Sequence, residues 1–402
     1  MSKESNKPDA NMEPETITTA IPKGRHIIAS VTVAIGKTFL VLLSIAASIL
    51  IVLGLGLTVG TISGRIQGKT GDVAIMDKFD MFMTNEISTA LEDVITIEKV
   101  YWLSDSDQVA PKPNENQFGF TQNPQDLEVV LKRARPLIGS RELLFNVDRP
   151  FWITEGITYY QDETILVITW KETYDNVAYT ISEVVISHPS QLRRFLAGGE
   201  FGSDKQYTTT DMATSVNAVV ASSGDFYKFR RNGIVVYDHT VQRFEDRCID
   251  NCYIDENGDL IFSRAGEMAD TSAAQQFVDE NNIRFSLCFG PILIENGIAC
   301  QPESYLLGEI NGTYSRMALC QKGQLHYLLV NASAEDPYRN YPKISEFTSV
   351  VETFGVDKAY ALDGGQTTVI AMQGEPINKV DFGFQRQISD IIYFATALPN
   401  GE

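Results

Sequence analysis

Histidine is scarce, positive charge is in deficit and no internal repeat is visible. Four histidines in 402 residues leave little for a metal site, and His188, His239 and His326 stand beside no serine or cysteine motif that would make a hydrolytic triad. Lysine and arginine number 33 against 52 acidic residues, for a formal net charge of -19. That balance repels phosphate backbones, and with no basic stripe interleaved with aromatics it excludes a nucleic-acid partner. Any anionic ligand must be held by local cations against the global field. Cysteine is limited to Cys248, Cys252, Cys288, Cys300 and Cys320, an odd number confined to the second half of the chain. Cys248 and Cys252 are spaced unlike a zinc knuckle; a disulfide between them and buried free thiols both stay open.

What is present is the composition of a folded protein, with 44% hydrophobic and 21% charged residues, well away from the disordered class. One uncharged stretch, Thr38 to Ile62, has the length that an apolar helix needs to span a bilayer. A signal peptide would have a shorter apolar region followed by a small-residue cleavage site, so the stretch is expected to stay as an anchor. Lys23, Arg25 and Lys37 precede it, which favours a cytoplasmic N-terminus and an extracellular C-terminal domain. The expected organisation is a disordered tail over residues 1–37, a transmembrane helix over 38–63, a juxtamembrane helical stalk over 64–104, a Pro/Asn-rich linker over 105–123 and a globular domain over 124–402.

Within that domain a short helix is expected after Pro124, with Leu127, Val130 and Leu131 on one face. Thr164 to Trp170 and Val177 to Ile186 read as a hairpin turning at Asp175-Asn176. Helices are expected near Pro189 to Ala197, Asp211 to Ala218 and Ser272 to Glu280, among strands at Ile234 to Tyr237, Cys252 to Ile254, Leu260 to Phe262, Arg284 to Phe289 and Leu325 to Val330. Such an order without strict βαβ alternation implies an α+β domain with a mixed sheet. Asp255 to Asp259 carries alternate carboxylates but lacks the glycine and glutamate of a calcium loop, and reads as a turn.

The most informative segment lies near the C-terminus, where a helix with Phe347, Val350, Val351 and Phe354 on one face is followed by Gly355 and by a strand ending at Leu362. Next comes Asp363-Gly364-Gly365-Gln366-Thr367-Thr368. Adjacent glycines let a ligand approach the backbone while a carboxylate and two hydroxyls reach the same point. By itself, Asp-Gly-Gly is an ordinary turn.

Four ordered segments together are more specific. AYALDGGQTTVI with Arg386 beyond it, Ser223-Gly224-Asp225-Phe226-Tyr227 with Arg230, Phe289-Gly290-Pro291, and Ser315-Arg316-Met317-Ala318 resemble the signatures of the phosphodiester glycosidase family. The likeness runs over about residues 160 to 398, and Gln366, Ala361 and Ser223 depart from the family pattern. The resemblance implies a membrane-anchored member of that family, a hydrolase that cleaves a sugar from a sugar-1-phosphodiester, with a phosphodiester-linked glycan as partner and exopolysaccharide or wall-glycan metabolism as setting. A non-catalytic carbohydrate-binding or assembly factor on the same fold is the alternative. Breaking a glycosyl bond calls for carboxylates, and a phosphate leaving group calls for guanidinium clamps. Asp363 and Asp225 are accordingly the candidate catalytic carboxylates and Arg316 and Arg386 the candidate phosphate contacts. Gly364, Gly365, Thr367 and Thr368, with Gly224, Tyr227 and Arg230, are expected to shape the substrate pocket. No cofactor is required by these residues, and a divalent cation is left open.

Overall fold

A computed structural model describes residues 101–104, 108–148, 156–300 and 309–399, all within the unit Glu98–Glu402. Among them the strands form three antiparallel sheets. The largest has nine strands in the order Phe118–Thr121, Ile157–Gln161, Ile165–Tyr174, Val177–Ile186, His326–Ser333, Arg316–Gly323, Lys358–Leu362, Ile292–Glu295 and Ile298–Ala299. The predicted hairpin supplies its third and fourth strands, beside the central His326–Ser333. Asp175 and Asn176 take the positive φ values, 48° and 62°, that a tight two-residue connection demands.

The central strands are apolar on both faces because both faces are covered. Leu166, Ile168 and Trp170 point to one side, where they meet Leu127 and Val130 of the helix Leu127–Arg133 and Phe347 and Val351 of the helix Ile344–Glu352. The alternate residues Ile165 and Val167 point to the other side. There they meet Val220, Ile392 and Phe394 from one five-stranded sheet and Ile254, Leu260 and Phe285 from the other. The period of two thus sorts each strand between two cores. The first small sheet runs Glu375–Pro376, Ile370–Met372, Val220–Ser223, Asp390–Phe394, Leu192–Leu196, and the second contains the hairpin of Asn251–Asp255 and Leu260–Ser263. The Asp255 carboxylate serves that hairpin's turn, its Oδ1 accepting from the Asn257 and Asp259 amides at 2.9 and 2.7 Å.

Four expectations need correction. Leu192–Leu196, expected to be helical, is a strand paired with Asp390–Phe394 after a short 3-10 turn at Pro189–Gln191; this sheet partner overrides local propensity. Phe118–Thr121, inside the stretch read as a linker, forms the edge of the large sheet against Ile157–Gln161. The α+β class stands, but the strand pairings among the described residues are antiparallel where a mixed sheet was expected, and the transmembrane helix expected before the domain is not supported. No helix of the described residues is long and apolar enough to cross a membrane. The longest α-helix among them, Thr271–Glu280, has 10 residues, about 15 Å against the roughly 30 Å of a hydrocarbon layer. Thr38 to Ile62 itself, with the expected tail and most of the stalk, lies outside the described residues. The single-pass placement, the extracellular assignment and the membrane as a partner rested on that span and are withdrawn with it.

Candidate functional site

Two strand ends from different sheets meet at the candidate site. Lys358–Leu362 of the large sheet delivers Asp363, and Val220–Ser223 of the small sheet delivers Gly224 and Asp225. The Asp363 amide donates to the Gly224 carbonyl at 3.2 Å and fastens the two together. After Asp363 the chain turns through the 3-10 segment Gly365–Thr367. Gly365 has φ +66°, and a Cβ on Gly364 would lie 2.8 Å from the Ser315 carbonyl, so both glycines are required by the turn. The hydroxyls of Thr367 and Thr368 donate to the carbonyls of Gly364 and Gly365, both at 2.8 Å. They shape the loop from within. Gln366 donates to the Phe384 carbonyl at 3.2 Å.

Asp363 is 9% exposed, and burial pushes its carboxyl up from the usual 3.8 to about 7. A hydrogen bond from Thr367 and the charges of Arg386 and Arg230 oppose that rise, while Asp225 adds to it. Both guanidiniums lie against aromatic rings. Arg386 sits 5.6 Å from the Phe226 ring centroid and 5.5 Å from that of Phe229; Arg230 sits 5.5 Å from Phe226 and 4.5 Å from Phe289. Arg230 also donates to the Phe289 carbonyl at 3.1 Å. Stacking of this kind holds a planar cation without consuming all its donors.

Asp225 sits deeper, its side chain 0% exposed. Its Oδ2 accepts from the Cys288 amide at 2.7 Å and from Arg194 Nη2 at 3.4 Å. Arg194 Nε donates in turn to Asp390 Oδ2 at 2.9 Å, and Nη1 donates to the Ser286 carbonyl. Burial pushes Asp390 up to about 7 against the pull of Arg194. For Arg194, burial favours loss of the proton, but Asp390 and Asp225 outweigh it and raise the guanidinium's proton affinity. The ring of Tyr227 lies beneath Arg194, 5.2 Å from its guanidinium carbon, and burial raises its hydroxyl to about 12.

Of the expected site residues, Asp363, Arg386, Arg230, Gly364, Gly365 and Gly224 gather at this junction, with Asp225 and Tyr227 behind it. Arg316 is directed elsewhere. Its guanidinium donates to the carbonyls of Gly312 at 2.6 Å and Pro342 at 3.4 Å and lies over Tyr314. Sequence reasoning missed Arg194 and Asp390. Asp390 stands in the same QRQISDIIYF run as Arg386, and Arg194 was hidden by the helical reading of its strand. Arg194 also lines a cavity of about 160 Å³ with Arg193, Arg284 and Tyr393, which does not include Asp363. Among the described residues no group of three histidine, cysteine or acidic side chains is placed to hold a metal ion.

A family model described as phosphodiester glycosidase matches residues 216–395, a span containing Asp225, Arg386, Asp363 and Asp390 but not Arg194. No curated protein matches the chain. Among solved structures, the catalytic domain of zebrafish N-acetylglucosamine-1-phosphodiester alpha-N-acetylglucosaminidase, auto-inhibited by its pro-peptide, is 14% identical, with 58% of this chain and 83% of that one covered at a TM-score of 0.45. A hypothetical protein from Synechocystis is 14% identical, with 62% and 64% covered at a TM-score of 0.43. Neither overlap is close enough to transfer a residue's role. The sequence match supports a distant relationship to the phosphodiester glycosidases. It does not support the membrane-anchored subgroup expected from the sequence, for which the described residues supply no spanning helix.

Proposed function

We propose that this domain hydrolyses a sugar-1-phosphodiester, with Asp363 as the general base and Arg386 and Arg230 as the phosphate clamp. The observation that carries the reading is a single one: a nearly buried carboxyl, raised to about 7, under the influence of two guanidiniums stacked on phenylalanine faces. A base is most effective when its proton affinity lies near the working pH. Asp363 takes a proton from water as that water attacks the anomeric carbon; the bond from that carbon to the phosphate oxygen breaks, and its electron pair leaves with the phosphate. A phosphomonoester departs as an anion and needs charge neutralisation more than a proton, which guanidinium forks supply. Gly365 leaves the backbone open beside the carboxyl, while Gly364 packs against the Ser315 carbonyl.

The test is to incubate the full chain with a panel of sugar-1-phosphodiesters, with and without divalent cations, and to follow free sugar and phosphomonoester together. Stoichiometric release of both, abolished in Asp363→Ala, is expected. Binding of the diester without release would point instead to a glycan-binding domain, for which the engagement of Thr367 and Thr368 within their own loop, and of Gln366 by the Phe384 carbonyl, is the supporting observation.

A further inference from the structure

Asp225 was expected to act on substrate directly, yet its carboxylate is enclosed. Its side chain, like those of Arg194 and Asp390, is 0% exposed, whereas Asp363 as a residue is 9% exposed. We infer that Asp225 is a positioning residue and that, with Arg194 and Asp390, it forms a buried charge assembly acting on the reaction through Asp363. This inference rests on the reading of Asp363 as the base.

Three features of the geometry lead to it. The first is the connectivity. Arg194 bridges the two carboxylates, and the Asp225 amide closes the ring by donating to both oxygens of Asp390 at 3.1 and 3.2 Å. The second is the closeness of the backbone: a Cβ on Gly224 would lie 2.5 Å from Asp390 Oδ2 and 3.0 Å from the Asp390 carbonyl. Glycine at 224 therefore lets the strand end press onto the ion pair, and the same Gly224 carbonyl receives the Asp363 amide. Any displacement of the assembly is passed through one peptide unit to Asp363.

The third feature is charge. Two carboxylates share one guanidinium, so the fully ionised assembly carries a net negative charge. Asp225 Oδ1 is buried with no hydrogen-bond partner among the described residues, which leaves part of its charge uncompensated. The charged groups acting on Asp363 are Arg386 and Arg230, which favour its ionised form, and Asp225, which opposes it. Asp225 thus makes Asp363 a stronger base, while Arg194 and Asp390 fix where that charge sits.

Asp225→Asn and Asp390→Asn provide the test. Aspartate-selective carbon-13 labelling follows the Asp363 carboxyl directly, and the pH dependence of kcat/KM follows it in turnover. In Asp225→Asn the Asp363 midpoint is expected to fall by about one unit, as expected for removal of one nearby charge in a partly buried setting. The acid limb of the rate profile should move down with it, with the plateau rate reduced less than tenfold. Asp390→Asn should move the midpoint in the same direction, because Arg194 then neutralises Asp225 alone. An unmoved midpoint in both variants would overturn the inference, as would a plateau loss above a hundredfold in Asp225→Asn with an unmoved limb, the mark of a carboxylate that itself meets substrate. Inactivity of the unmodified chain on every diester would sink the hydrolase reading, while the carboxyl titration would still decide whether Asp225 acts on Asp363.

Discussion

Replacing Asp363 by asparagine removes a charge that the fold holds at a cost, and that cost has a pH signature. Asp363 rises from 3.8 to about 7 on folding, so between those values the native state binds more protons than the unfolded chain. Stability therefore falls as pH rises through this window, the reverse of a salt-bridged aspartate. By the linkage, the raised carboxyl costs the fold roughly 4 kcal/mol at pH 8 and roughly 2 kcal/mol at pH 5. The difference, about 2–3 kcal/mol, belongs to this carboxyl alone, because Asp390 and every other group titrate in both proteins. Asparagine keeps the shape and loses the titration. Urea unfolding of both proteins at the two pH values should show Asp363→Asn more stable at pH 8, with an advantage over the parent about 2–3 kcal/mol larger there than at pH 5. An equal stability difference at both pH values would refute the burial argument, and the assignment of Asp363 as a base near neutrality would fall with it.

Gly224→Ala should destabilise by about 2–4 kcal/mol in the same assay, since the new methyl meets both a fixed ion pair and backbone. Arg386→Ala should lower kcat/KM about ten- to a hundredfold in the diester assay, the range for a charged hydrogen bond to phosphate. Glu183→Ala should cost about 3–5 kcal/mol in chemical denaturation, because Glu183 accepts from the Leu144 and Phe145 amides at 2.6 and 2.8 Å and pairs with His326 at 2.7 Å, all buried. A chromogenic disulfide at pH 8 should label Cys248 rapidly and Cys300 more slowly. Cys252, Cys288 and Cys320, whose thiols burial pushes up, should react only after unfolding.

Much of the fold was legible because its signals are local. The hairpin at Asp175-Asn176, the helix beginning at Ile344 and the turn at Asp255 each follow from a few neighbouring residues. The large sheet's order was not, because Ile292–Glu295 lies beside Lys358–Leu362 only through pairing across more than sixty positions. Asp363 and its glycines were found from the turn chemistry and the family likeness together. Arg194 was missed for a physical reason: Leu192–Leu196 has the composition of a helix, and only the partner strand Asp390–Phe394 makes it extended. Arg316 was chosen by motif order, which cannot reveal that nearby carbonyls engage its guanidinium.

The bond between Arg194 and Asp390 spans 196 positions, and that interval is also a duration. At synthesis rates of about 5–20 residues per second, roughly 10–40 seconds separate the addition of the arginine from that of its partner. Asp225, only 31 positions after Arg194, is present for most of that interval, so collapse of the small sheet would bury the guanidinium with one of its two carboxylate partners missing. Full compensation of the charge beside the site therefore waits for the strand Asp390–Phe394, which lies beyond Asp363 in the chain.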